Sequence, residues 1–487
     1  MQLRELVKNI HFKGNLEDRE ISAISYDSRK VKPGTLFVAI SGLEKDGHQF
    51  ISQAIENGAV AILSNGRRPE IKTIPILQVK DPRLAMSHIS AQFYGNPSMS
   101  MNVIGVTGTN GKTSCVEMIS QIAKLINFQC GYISTIGTSL DGKNLIQPSS
   151  LTTPDPITLQ KTLFEMIHVD TKQVAFEASS HGLSQSRIVG TSIDTAILTS
   201  FSHDHLDYHR NFENYKTAKK KLFTELNPKN IILNIDNSLG KEIYKELKQS
   251  KESCSVFSVS NQKEADFYYS FSRKKNGHIH VNLKTPQKDI NFSLNTISRP
   301  LASNVICAIA SFTTKGFNLD KVYPLLESLD FPQGRMELIP LSKKDNCFID
   351  YAHTPEALEN SLLELRDSFK DVKIWCVFGC GGDRDKTKRH QMGKIAERLS
   401  DFLVITNDNP RTENEMNIIN EISRGLKNNS IVKIIPNRKE AIFFCLREIR
   451  ESKESNVLLI AGKGHESYQD ILGRKFSREA KFFPPFK

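Results

Sequence analysis

The sequence lacks the features that would place it in a membrane, a disulfide framework or a repeat array. No apolar run approaches the roughly 18 residues that a spanning helix needs. Met1 to Gly14 has charges scattered through it and no continuous apolar stretch, so it does not read as a signal peptide. Only 8 of the 487 residues are cysteine (115, 130, 254, 307, 347, 376, 380 and 445). Most lie inside apolar runs, and the close pair Cys376 and Cys380 does not have CxxC spacing. Buried free thiols in a reducing cytoplasm are expected. No window recurs at a fixed period, which argues against a solenoid or propeller. The single tryptophan, Trp375, sits in an apolar run, and there is no RNP-type aromatic string or zinc-finger spacing.

What is present is core-forming material in quantity. At about 150 residues per domain, 487 residues suggest about three domains. With 39% hydrophobic and 24% charged residues, disorder and collagen-like chains are excluded. Lys and Arg outnumber Asp and Glu by 65 to 54, a net charge of +11. Such an excess suits phosphorylated partners. A basic ATPase acting on nucleic acid would need a basic stripe with stacking aromatics. The densest basic stretches, Lys216–Lys221 and Arg384–Arg389, are short. Small anionic substrates are the expected partners, with no nucleic acid, no membrane insertion and a monomeric chain.

Patterning divides the chain into three α/β segments. Residues 1–98 alternate apolar runs at Leu36–Ile40 and Ala59–Leu63 with a helical stretch, and close on the turn-rich Tyr94–Ser98. Residues 99–333 open with the β-branched run Asn102–Val106 and a helix with apolar residues at 116, 119, 122, 123 and 126. Strand-like runs follow at Val174–Phe176, Thr195–Leu198 and Asn230–Leu233, separated by helical stretches. That alternation predicts a parallel sheet with crossover helices. Residues 334–487 repeat it, with strands expected at Cys347–Ile349, Ile374–Phe378, Phe402–Ile405 and Asn456–Ile460. The fold class expected is α/β in three domains: a central P-loop-type parallel sheet and a Rossmann-like C-terminal domain.

Between the run at Asn102 and its helix lies Thr107-Gly108-Thr109-Asn110-Gly111-Lys112-Thr113. Glycines there turn backbone N–H groups toward phosphates, and the helix N-terminus adds its dipole. Lys112 would reach the β/γ-phosphates and the Thr113 hydroxyl would bind Mg²⁺. The strict GxxxxGK[ST] spacing fails, since Val106 stands where the first Gly belongs. The shorter TGTNGKT resembles the ATP loop of the Mur ligases, ATP-dependent amide ligases of peptidoglycan synthesis, and is similar to that of folylpolyglutamate synthases.

Further motifs bear on the choice. Glu177, in Phe176–Leu183, falls at a strand's carboxyl end, where open α/β sheets bind ligands. Asp204-His205-Leu206-Asp207-Tyr208-His209 follows another strand. A carboxylate and an imidazole there can share Mg²⁺ with ATP oxygens, whereas the spacing is poor for zinc. The resemblance implies Mg²⁺ ligation by Thr113, Glu177 and His205, and a carbamylated lysine (N6-carboxylysine) at Lys219. By residues alone, Lys219 would pass for a solvated basic helix face. Ser200 and His203 depart from the family, standing where many relatives have Asn and Arg.

The same resemblance implies ATP contacts from Asn304 (read as opening a helix at 304–311), from Arg335 in Gly334-Arg335-Met336-Glu337, and from Asp350 and His353 in Asp350–Pro355. It implies a uridine nucleotide against Tyr26 and Ser28, and a sugar-peptide against Thr152, Thr153, Ser179, Gln185 and Arg187. Arg384, Asp408-Asn409-Pro410-Arg411, Gly462 and Glu466 resemble the segments that hold meso-diaminopimelate. Taken alone, each of these residues passes as a cap, a turn or loop polarity. The implied reaction is ATP-dependent addition of that amino acid to UDP-N-acetylmuramoyl-L-alanyl-D-glutamate through an acyl phosphate. A lysine-adding or folylpolyglutamate-type ligase of the same fold is the alternative.

Overall fold

The computed structural model describes residues 1–42, 45–66, 73–140, 145–146, 151–250, 254–274, 277–427, 429–464, 466, 468–472 and 474–477. Four parallel strands, Ala23–Ser25, Thr35–Val38, Ala59–Ser64 and Ile76–Gln78, form the first sheet in chain order. Helix Pro82–Phe93 packs against it, started by Asp81, whose side chain accepts the Arg83 and Leu84 N–H groups.

The central sheet has eleven strands, and its middle is parallel. Strand Asn102–Thr107 lies between Thr195–Leu198 and Gln173–Glu177, in register Val106↔Ile197 and Val106↔Glu177. A strand covered on both faces must be apolar throughout, and here every residue after Asn102 is buried. One face carries helices Lys112–Leu125 and Arg299–Thr313, the other Pro156–His168 and Phe212–Thr224. Beyond the parallel strands the sheet continues through Phe267–Arg273, Ile279–Lys284 and Asp289–Leu294, which pair antiparallel with one another.

The third sheet has six strands, ordered Glu337–Pro340, Asn346–Asp350, Asn456–Ala461, Lys373–Phe378, Phe402–Ile405 and Val432–Ile434. All pairings except the first are parallel. This three-domain, mostly parallel α/β architecture is the class expected from the alternation of strands and helices. One helix boundary differs. The helix read as opening at Asn304 starts at Arg299, because Ser298 caps it and Pro300 occupies its first turn. Among the described residues no helix is long and apolar enough to cross a membrane.

Candidate active site

The carboxyl ends of the central strands converge on the loop Gly108–Gly111. Gly111 has φ +86°, a left-handed conformation that glycine adopts freely, and a Cβ there would lie 2.6 Å from Asn304 Oδ1. The neighbouring strand-end residues fix the loop. Thr199 Oγ1 donates to Asn110 O at 2.6 Å, and Ser200 Oγ accepts the Asn110 N–H at 2.9 Å. Ser200 therefore acts as a loop tether.

Two lysines meet at this loop. Lys112 Nζ donates to the carbonyls of Gly108 (2.8 Å) and Thr109 (2.9 Å). Lys219, on helix Phe212–Thr224, donates to the same Gly108 carbonyl at 2.7 Å. Lys219 is only 1% exposed, and burial together with the Lys112 charge pushes its pKa well below the ordinary lysine value. It does not lie on a solvated face.

Glu177 ends its strand with Oε1 accepting from Thr113 Oγ1 (2.8 Å), Thr135 N (2.8 Å) and Thr135 Oγ1 (3.0 Å). His205 has φ +54°, and its Nε2 is 3.4 Å from Asp204 Oδ2. Burial lowers the His205 pKa to about 3, so the ring is a neutral donor of a lone pair. His353 Nε2, from the third domain, approaches the same Asp204 oxygen at 3.7 Å. Thr135 and Asp204 were missed as site residues. Asp204 sat inside a quoted motif, whereas Thr135 had no local signal.

Three contiguous cavities follow. The first, about 590 Å³, is lined by Asn110, Gly111, Asn304, Arg335, Asp350 and the helix residues Asn360, Ser361 and Glu364. The second, about 550 Å³, shares Asn110, Gly111, Arg335 and Tyr351 with it and adds Lys112, Thr113, Glu177, His205 and His353. The third, about 760 Å³, shares Lys112, Thr152 and His205 with the second and adds Ser179, Arg187, Lys219 and Arg384. Arg335 stacks over the Tyr351 ring at 4.6 Å, at the junction of the first two. Asp350 accepts from Met336 N (3.3 Å) and Tyr351 N (2.8 Å), which fixes the turn that carries Arg335.

Around the third cavity, Arg187 donates to Thr153 O at 2.7 Å and to Gln185 Oε1 at 2.8 Å, while Thr153 Oγ1 lies 2.8 Å from Ser179 Oγ. Tyr26 is within electrostatic reach of Arg187 and Arg83, and burial first of all raises its pKa. Ser28 is not brought to this group, because it is buried and donates to Gln53 Oε1 at 2.8 Å.

In the third domain, Asn409 Nδ2 donates to Glu466 Oε2 (2.9 Å), and Lys463 Nζ donates to Asn409 Oδ1 (2.6 Å) and Glu466 Oε2 (3.2 Å). Lys463, buried and unassigned by the sequence reading, lies in the quoted Gly462–Glu466 motif; His465 is outside the described residues. Asp408 faces Lys463 at 3.7 Å, and a Cβ on Gly462 would crowd its Oδ2 at 2.9 Å. Arg411 Nη1 donates to Gly382 O at 2.6 Å, with Pro410 beside it in the loop. Arg384 points instead toward the acceptor side, 3.6 Å from Asp207. His203 faces Asp385 across the domain boundary at 3.6 Å.

Comparison with known proteins decides the family. Residues 106–312 match the Mur ligase middle domain, 334–464 the Mur ligase glutamate ligase domain, and 20–94 the Mur ligase family catalytic domain. The chain belongs to the Mur ligase family. This Mur ligase is thus an ATP-dependent enzyme that forms C–N bonds. It is 37% identical, over 94% of its length and 93% of the relative's, to a UDP-N-acetylmuramoyl-L-alanyl-D-glutamate–2,6-diaminopimelate ligase of Pseudomonas syringae pv. tomato. A ligase of the same name from Listeria monocytogenes serovar 1/2a is 37% identical over 97% of this chain and 95% of its own. A solved structure of that named ligase superposes with TM-score 0.71 at 29% identity, covering 98% of this Mur ligase and 96% of that chain.

Proposed function

We propose that this Mur ligase joins meso-diaminopimelate to UDP-N-acetylmuramoyl-L-alanyl-D-glutamate at the expense of ATP. The observation that carries the amino-acid choice is the convergence of Asn409, Lys463 and Glu466, with Arg411 on the adjoining loop. A diaminopimelate has a second amino-acid head: its carboxylate suits a guanidinium fork and its ammonium suits Glu466. The curated relatives named above carry that activity in their names. Domain limits at 1–98, 99–333 and 334–487 fit the three sheets.

ATP is placed with its base in the first cavity and its phosphates in the second. Asn304 and Asp350 face the nucleoside, and Lys112 exchanges its loop carbonyls for phosphate oxygens as charge develops on the transferring group. The acceptor lies in the third cavity, its D-glutamate carboxylate directed at Lys112 and its peptide held by Thr152, Ser179 and Arg187. A carboxylate oxygen bonds to the γ-phosphorus as the bond to ADP breaks, giving an acyl phosphate. The amine of the amino acid then bonds to the acyl carbon, loses a proton, and phosphate departs with the C–O electron pair. Closure of the third domain, through His353 on Asp204 and Arg384 at the cavity wall, excludes water.

The residues also suit Mg²⁺. The Glu177 carboxylate has Oε2 outside the three bonds described, the Thr113 hydroxyl is beside it, and His205 is neutral. One or two carboxylates plus phosphate oxygens and water are what Mg²⁺ takes. A Lys219 ammonium would repel it. A Lys219 carbamate, formed when the neutral amine bonds to CO₂ and releases a proton, supplies an anionic oxygen instead. When bound, Mg²⁺ screens phosphate charge and polarises the γ-phosphoryl group.

Phosphate release from ATP, measured with the UDP-sugar dipeptide and either diaminopimelate or lysine, tests the reading. Release with diaminopimelate is expected; release with lysine alone overturns it. Arg411→Ala should lower kcat/KM for diaminopimelate by about 10- to 150-fold, the worth of a bidentate Arg–carboxylate pair. Lysine use should not fall in parallel.

A further inference from the structure

The two loops that carry Arg384 and Arg411 follow different strands, Lys373–Phe378 and Phe402–Ile405. Neither loop has a backbone at rest. Asp383 has φ +51° and Arg411 has φ +52°, left-handed conformations that cost a side-chain-bearing residue energy and persist only where neighbours enforce them. The enforcing group is Arg389, on helix Thr387–Leu399, whose side chain is 0% exposed. Its Nη1 donates to Glu413 Oε2 (2.9 Å) and Glu421 Oε2 (2.8 Å). Its Nη2 donates to Glu413 Oε1 (2.9 Å) and to the Gly381 carbonyl (3.0 Å).

One guanidinium thereby holds the first loop at Gly381 and the second at Glu413. Glu413 closes the circuit by accepting the Asp383 N–H at 2.6 Å. Thr412 adds a second stitch, its N–H donating to Asp383 Oδ2 at 3.0 Å and its hydroxyl to Asp383 Oδ1 at 2.8 Å. A third is Gly382 N–H to Asn409 O at 2.9 Å. The loops approach too closely for side chains, since a Cβ on Gly382 would lie 1.9 Å from Pro410 O. Arg411 precedes Thr412 directly and its Nη1 donates to Gly382 O at 2.6 Å, so the stitched residues flank this arginine on both loops.

We propose that Arg389, through Glu413, is a positioning residue for amino-acid specificity: it fixes the two loops against each other and so sets the place of Arg411, which grips the distal carboxylate of a dicarboxylic diamino acid. The proposal rests on the diaminopimelate reading above. Arg389 touches no substrate; it acts through the register of the two loops. A planar fork serves both loops at once, which a lysine ammonium cannot reproduce.

The test is steady-state phosphate release with wild type, Arg389→Lys, Glu413→Gln and Thr412→Val, varying each substrate in turn. Arg389→Lys and Glu413→Gln should raise the KM for diaminopimelate about tenfold or more, with the KM for ATP and for the UDP-sugar dipeptide within about twofold. The diaminopimelate-to-lysine preference should fall by the same factor. Thr412→Val, an exposed site that threatens folding least, should raise the same KM about threefold. A merely structural role would lower melting temperature and active fraction and leave KM alone. Should Arg389→Lys not fold, the other two variants decide. An unchanged diaminopimelate KM in the folded variants overturns the clasp while leaving the substrate reading intact. No diaminopimelate-dependent release by wild type overturns that reading and the clasp with it.

Discussion

Lys219, Lys220 and Lys221 are consecutive, yet the helix sends them to different surroundings. Lys220 pairs with Glu242 at 3.3 Å, Lys221 with Glu225 at 3.7 Å, and Lys219 turns inward to Gly108. Lys219→Ala should lose about 100-fold or more in kcat, with partial rescue by an added short carboxylate. Lys220→Ala and Lys221→Ala should stay within about twofold, since exposed ion pairs contribute at most about 1 kcal/mol. Equal small effects at all three positions would remove Lys219 from the proposed metal site. Glu117 makes a different residue-scale case. It is buried on the helix after the loop, its Oε1 has no hydrogen-bond partner, and burial raises its pKa to about 8. A folded pKa above the unfolded value of 4.5 means the stabilising proton is fully present below that pH. The contribution is lost as pH rises through about 8. Glu117→Gln does not titrate, so its melting temperature should gain on wild type from about pH 5 to about pH 8. Parallel curves across that range would refute the buried-acid account.

At the scale of elements, the loop and its helix work as one piece because Gly111 occupies both. Gly111→Ala would hold an alanine at φ +86° and press its Cβ onto Asn304. The conformation alone costs roughly 1–2 kcal/mol. The expected outcome is a KM for ATP raised about tenfold or more with a lowered melting temperature; an ATP KM within twofold of wild type would show that the loop relaxes. The strand before this loop was legible because a strand buried on both faces is continuously apolar, and the helix after it because its apolar residues share one face. The antiparallel strands Ile279–Lys284 and Asp289–Leu294 were not read as part of the central sheet. Their alternation signals half-buried strands, but their place is set by packing against helix Arg299–Thr313, a tertiary contact that alternation does not encode. Asn304 was read as a helix opener for the same reason: apolar periodicity marks the body of a helix, and the Ser298 cap lies outside it. The loops of the third domain were readable as motifs. The Arg389–Glu413 clasp beneath them was not, because nothing local tells a buried guanidinium from a solvated one.

At the scale of the molecule, substrates bound on separate domains require the third domain to be held near the second without being locked there. One ionic cluster meets that need. Arg273, at the end of an antiparallel strand of the central sheet, forms an ion pair with Glu364 and donates to Asp367 at 3.0 Å, both on helix Pro355–Ser368 of the third domain. Its remaining donor reaches the Ile297 carbonyl at 2.9 Å, and Arg299 donates to Asp367 at 2.6 Å. Glu364 also lines the first cavity, so the cluster ties the wall of the proposed nucleotide site to the neighbouring domain. Burial raises the Glu364 pKa, and the Arg273 bond and charge oppose that rise. Removing Arg273 leaves the buried Glu364 carboxylate with the Arg299 N–H and charge alone, and breaking a buried pair costs up to about 3–5 kcal/mol. Arg273→Met should raise the KM for ATP several-fold, leave kcat at saturating ATP within about twofold, and split off a lower-melting transition for the third domain in calorimetry. ADP should merge the transitions again, because a nucleotide bound as proposed would bridge Asn304 and Asp350 across the same boundary. Arg273→Lys should restore the partnership with Glu364 but not the fork to Asp367 and Ile297, and so fall between the two. A single unshifted transition and an unchanged ATP KM in Arg273→Met would show that the two domains are held by their apolar contact alone.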